Sequence, residues 1–136
     1  MTRVFLDTNI LVYSVDDRDP RKRDISLGIQ RERIIHDHPV LSTQILQEFY
    51  STVTSKGNMH PVRAKEIMKS WENIETVLMT PSHIVHAIDI SIINMISFWD
   101  GLILAAAASA RCAKVLTEDM QHGQTIADVL IENPFL

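Results

Sequence analysis

The feature that most constrains this chain is a rhythm: short apolar runs alternate with longer segments of helical spacing. Val4-Phe5-Leu6, Val40-Leu41, Thr76-Val77-Leu78-Met79 and Ala113 to Leu116 read as strands, with a last one over Asp128 to Ile131. Between them, Pro20 to His36 carries Ile25, Ile29 and Ile34 at roughly helical spacing. Ser42 is placed to cap a helix that stops at Gly57-Asn58. Pro61 suits the first turn of a helix with Ile67, Met68, Trp71 and Ile74 three or four apart. Thr80-Pro81-Ser82 opens another, with Ile84, Ala87, Ile88, Ser91, Ile92 and Met95 on one face, and Ser97 caps a helix from Phe98 to Arg111. Strands separated by helices predict an α/β fold with a mainly parallel sheet. The strands show no in/out alternation, as expected when helices cover both faces.

In such folds ligands bind beyond the carboxyl ends of the strands. Two acids fall there: Asp7 directly after the first strand, and Asp119 two residues beyond Leu116-Thr117. Glu48 shares an apolar helix stripe with Ile45 and Thr52. Asp100 lies in the first turn of Phe98-Trp99-Asp100-Gly101-Leu102-Ile103, where the helix dipole favours an anion. Each acid alone has an ordinary explanation, as a turn residue, a cap or half of an ion pair. Their coincidence is more informative. No Lys or Arg occurs between Arg33 and Lys56 or between Lys69 and Arg111. Carboxylates gathered without basic partners repel one another, and a hard cation with oxygen ligands relieves this.

Other chemistries find little support. The sequence holds no phosphate-cradling Gly-rich loop, no nucleophile elbow and no His-Glu-x-x-His. The single cysteine, Cys112, rules out an intramolecular disulfide and fits a reducing cytoplasm. The longest apolar run, Leu102 to Ala108, is too short to span a bilayer, and no secretory signal precedes Asp7. A soluble, cytoplasmic, single-domain protein over 1–136 is expected. The net charge of -4 looks wrong for a nucleic-acid binder. If four of the 17 acids are metal ligands, however, the other 13 balance the 13 Lys and Arg.

Four motifs now carry a resemblance over nearly the whole chain. They are Phe5-Leu6-Asp7-Thr8-Asn9-Ile10-Leu11-Val12-Tyr13, Leu41-Ser42-Thr43-Gln44-Ile45-Leu46-Gln47-Glu48-Phe49-Tyr50, Phe98-Trp99-Asp100-Gly101-Leu102-Ile103 and Leu116-Thr117-Glu118-Asp119-Met120-Gln121-His122-Gly123-Gln124. In this order and spacing the sequence resembles the PIN-domain ribonucleases that serve as toxins in VapBC-type toxin–antitoxin pairs. The resemblance implies a PIN-like fold in which Asp7, Glu48, Asp100 and Asp119 hold one or two Mg²⁺ or Mn²⁺ ions. Glu48 would bind metal directly, bind it through water or orient the attacking water. Thr8, Asn9 and Thr117 would support the carboxylates. It implies RNA as substrate and an antitoxin protein as partner, and it allows a homodimer. Gly101, where a small residue often follows the third acid, weakens its helix slightly.

Arg21, Lys22, Arg23, Arg31 and Arg33 are candidate phosphate contacts, although a solvated helix face explains them as well. Ile25, Ile29, Phe49, Tyr50 and Trp71 are candidates for an antitoxin groove or for the core. Two functions stay open: a metal-dependent endoribonuclease, and a catalytically silent PIN-like module that binds RNA or protein. No residue distinguishes RNA from DNA.

Overall fold

A computed structural model describes residues 2–136, with the side chains of residues 33–35 outside the description, so the expectations for Arg33 and Ile34 fall outside the described residues. Six strands, β1 (Arg3–Leu6), β2 (His38–Ser42), β3 (Glu75–Val77), β4 (Lys114–Leu116), β5 (Thr125–Ile126) and β6 (Val129–Glu132), form one sheet in the order β3-β2-β1-β4-β6-β5. All pairings are parallel except β5 with β6. Six helices connect them: α1 (Thr8–Ser14), α2 (Pro20–His36), α3 (Thr43–Ser55), α4 (Pro61–Lys69), α5 (Pro81–Asn94) and α6 (Phe98–Ser109). The fold is α/β, as the rhythm of the sequence predicts.

The topology fixes where a ligand can sit. The chain steps from β1 outward to β2 and β3, then crosses back past β1 to lay down β4. Right-handed crossovers in opposite directions put α1–α4 on one face and α5–α6 on the other. The reversal opens a crevice at the carboxyl ends of β1 and β4. The strands beside it are inaccessible: Val4, Phe5, Val40, Leu41, Val115 and Leu116 are all 0% exposed. This explains their unbroken apolar character.

Helix α1 and strand β5 escape the sequence reading. Helix α1 follows β1 with only Asp7 between them, and Asp7 itself caps it by accepting from the Thr8 N–H. The β5–β6 hairpin turns on Ala127 and Asp128, with φ of 52° and 64°. A two-residue turn with both residues at positive φ is usually marked by Asn-Gly or Asp-Gly, and Ala-Asp gives no such mark.

On the opposite face, α5 and α6 approach very closely. A Cβ added to Gly101 would lie 2.6 Å from the carbonyl oxygen of Ala87. Helix α5 buries Ala87 and Ile90. Much of the apolar stripe expected on it instead faces solvent, with Ile92 70% and Met95 91% exposed. Among the described residues no single helix is long and apolar enough to cross a membrane.

Candidate functional site: four carboxylates at the sheet edge

Asp7 continues the sheet by donating its N–H to the Leu116 carbonyl at 3.0 Å, which fixes its backbone at the end of β1. It is only 3% exposed. One carboxylate oxygen accepts from the Thr8 N–H at 2.7 Å. The other accepts from the Thr117 hydroxyl at 2.6 Å and, at 3.4 Å, from the Asn9 amide. Burial pushes its pKa up to about 7. The hydrogen bonds from Thr117 and Thr8 work against that shift, while the charges of Asp119 and Glu48 add to it.

Asp119 and Glu48 are brought to Asp7 by neighbouring polar groups. Thr117, fully buried after β4, accepts from the Asp119 N–H at 3.1 Å while its hydroxyl donates to Asp7. The Asn9 amide also donates to Asp119 at 3.1 Å, so one NH₂ bridges two acids. Glu48, half-buried on α3, accepts from the Thr8 hydroxyl and from the Gln44 amide, each at 2.8 Å. Thr8, Asn9 and Thr117 thus each touch one or more of the carboxylates. Sequence reasoning overlooks Gln44, which is buried and also donates to the Trp99 carbonyl at 3.3 Å. Its position four residues before Glu48 on one helix is the signal that could have revealed it.

Asp100 belongs to the cluster through its charge rather than through a hydrogen bond. Its N–H donates to the capping Ser97 hydroxyl at 3.1 Å, which sets the first turn of α6. Its pKa is raised first by burial, against the Ser97 hydrogen bond, and then by Asp119 and Glu48. Among the described residues, neither Lys nor Arg forms an ion pair with any of the four acids. Lys114, a conceivable partner of Asp100, reaches Glu132 instead. Also among the described residues, no three His, Cys, Asp or Glu side chains converge on one ion-sized point. The Asn9 amide lies between Asp7 and Asp119.

Three of the candidate phosphate contacts on α2 are engaged elsewhere. Arg21 donates to the Phe135 carbonyl at 2.6 Å, and Arg23 pairs with Asp17 at 2.7 Å. Lys22 pairs with Glu118 at 2.8 Å, and its ammonium lies 4.8 Å from the centre of the Tyr13 ring. Tyr13 also donates to Glu118. Arg31 is exposed. These contacts tie α2 to the residue preceding Asp119 and to the C-terminal segment. To reach a phosphate, Arg21, Lys22 and Arg23 must exchange those acceptors. Of the candidate groove residues, Phe49 and Trp71 belong to the core, packed edge to face at 4.8 Å. Tyr50 stays at the surface, 40% exposed.

Comparison with known proteins places this arrangement. No curated protein sequence matches the chain. Among solved structures, the DNA-bound VapBC of Salmonella typhimurium is similar with a TM-score of 0.69 and 16% identity, covering 98% of this chain and 99% of that one. VapBC2 of Rickettsia felis, bound to a promoter DNA fragment, gives 0.67 and 17%, covering 97% and 98%. VapC20 of Mycobacterium tuberculosis, described as a sarcin-ricin loop cleaving toxin, gives 0.66 and 15%, covering 82% and 86%. At such identities the likeness establishes the fold. The sequence itself goes further: the PIN domain family model matches residues 4–125, a stretch that includes all four acids, and the chain belongs to that family.

Proposed function

We propose that this protein is a metal-dependent endoribonuclease and the toxin of a toxin–antitoxin pair. The observation that carries the reading is the gathering of Asp7, Glu48, Asp100 and Asp119 at the sheet's switch point, without a cationic partner among the described residues. Similar folds in toxin–antitoxin complexes, one of them of a toxin that cleaves the sarcin-ricin loop, support it.

The chemistry of the donors, rather than a preformed cage, suits a hard divalent cation. Every donor the acids offer is oxygen, as Mg²⁺ and Mn²⁺ prefer. The Asn9 and Gln44 carboxamide oxygens beside the acids are buried and have no hydrogen-bond partner. Asp7, Asp100 and Asp119 would hold Mg²⁺ or Mn²⁺, with Glu48 binding directly or through water. When bound, the ion would activate water and neutralise charge on the phosphate. The chain's own part is positioning. The end of β1 and the Thr117 hydroxyl fix Asp7, Asn9 holds Asp119 beside it, and Thr8 and Gln44 orient Glu48 toward the same edge.

An antitoxin partner follows from the same reading. Leu46, Tyr50, Val62 and Met68 line an apolar groove between α3 and α4, edged by Lys65 and Lys69, that suits a partner segment.

Purified protein should cut structured RNA with Mg²⁺ or Mn²⁺ and lose that activity in EDTA. Asp7→Asn should reduce the rate at least about 100-fold, since loss of a supporting group alone costs roughly 10–100-fold. Cleavage that survives EDTA, or full activity in Asp7→Asn, would sink the mechanism. An inactive wild type that still binds RNA would favour a silent module. Competition between RNA and DNA strands decides the substrate class.

A further inference from the structure

A cavity of about 270 Å³ opens beside the acids, and Asp100 and Asp119 form part of its wall. The remaining wall differs in chemistry. It is formed by the amide residues Asn94, Gln121 and Gln124, the thioether residues Met95 and Met120, and three isoleucines. We propose that this cavity is a base-binding subsite, which takes one unpaired nucleobase of a single-stranded nucleic acid whose phosphate lies at the four carboxylates. The inference rests on reading that cluster as the place where a nucleic-acid strand is held.

Size, chemistry and construction converge on such a ligand. The volume lies just below the roughly 300 Å³ at which small-molecule pockets begin. It therefore suits one planar ring and excludes a duplex, whose bases stay stacked. No Lys, Arg or His lines it, so it is not built for a phosphate. A carboxamide offers both a donor and an acceptor, the combination displayed along base edges, and Met side chains give soft apolar walls for a ring.

Two of the amides are free to serve. The side chains of Gln121 and Gln124 make no hydrogen bond among the described residues, whereas the Asn94 NH₂ is committed to the Ile90 carbonyl at 2.9 Å. The turn that carries them is fixed. The Gly123 N–H donates to the Ile131 carbonyl and the Ile131 N–H to the Gln124 carbonyl, both at 2.8 Å. Met95, the left-handed cap that ends α5, also lines the cavity and is 91% exposed.

Binding by the whole chain tests this without requiring catalysis. The probes are fluorescent 2′-O-methyl hexanucleotides in Ca²⁺ buffer, abasic except for A, C, G or U at one position in turn. Anisotropy should show one base raising affinity about tenfold over the fully abasic strand, the scale of one base contact. Gln121→Ala/Gln124→Ala should erase that gain and leave abasic binding unchanged. Gln124→Glu, which replaces a donor with an acceptor, should change which base is preferred. Equal binding of all strands by the wild type, or a preference that survives the double substitution, overturns the subsite. Parallel assays on RNA with Mn²⁺ separate the two readings. Cleavage without an amide-dependent base preference leaves the nuclease standing and removes the subsite. An amide-dependent preference without cleavage keeps the subsite and removes the nuclease.

Discussion

Charge is handled in opposite ways on α2 and at the acid edge. On and around α2 several charges meet their opposites: Lys22 with Glu118, Arg23 with Asp17, Arg18 with Asp16. At the carboxyl ends of β1 and β4, Asp7, Glu48 and Asp119 share threonine, asparagine and glutamine donors, Asp100 lies within reach of their charge, and among the described residues no cation joins the four. The paired region ties the chain together. The unpaired one stores electrostatic tension, and burial of Asp7 makes that tension large.

The strongest way to break this contrast is to titrate Asp7. Its carboxyl holds a proton up to about pH 7 in the folded protein, against an ordinary value of 3.8. Between those values the native state binds a proton that the unfolded state has released, so stability falls as pH rises. The contribution is complete below about pH 4 and gone above about pH 7, a span on the order of 4 kcal/mol. Chemical denaturation of metal-free protein from pH 5 to 8 should show this decline, and Asp7→Asn should flatten it and raise the melting temperature at pH 8. A stability that climbs over that range would mean that Asp7 is stabilised by an attraction the structure does not show.

A smaller effect should come from Thr117→Val. It removes the hydroxyl that donates to Asp7 and accepts from the Asp119 N–H. The expected cost is roughly 10–100-fold in metal affinity or cleavage, with the fold retained. Isothermal titration with Mn²⁺ checks it, and unaltered affinity would show that these acids need no support.

The smallest effect sharpens the other side of the comparison. Lys22→Met deletes one member of a partly exposed pair and should cost no more than about 1 kcal/mol. Glu118 precedes Asp119, so cleavage should fall a few-fold. A collapse of activity comparable to Thr117→Val would reveal Lys22 as a direct substrate contact.

The positions of these groups were legible to different degrees. Asp7 and Asp119 could be placed from the sequence because strand ends are visible as ends of apolar runs and the sheet topology then brings them together. Asp100 could be placed because Ser97 marks the start of its helix. Glu48 depended on family resemblance, since nothing in the spacing of α3 says which face meets β1. The ion pair of Lys22 was invisible in the sequence for a similar reason. Its partner Glu118 lies 96 residues away, and long-range pairs leave no local trace. Helix α1 was hidden because its seven residues make only about two turns, too few for a helical period to stand out. Likewise the stripe on α5 showed helical spacing without showing which side would be covered.

Gly101 bears on how this site can change. Between its Cα and the Ala87 carbonyl there is no room for a methyl group, and alanine, normally the better helix former by about 1 kcal/mol, would force α5 and α6 apart. Asp100 is its immediate neighbour. The depth at which the third carboxylate sits is therefore gauged by the absence of a single carbon atom. A lineage that gained that carbon would have to reshape α5, the helix whose end carries Asn94 and Met95, before it could keep the same chemistry.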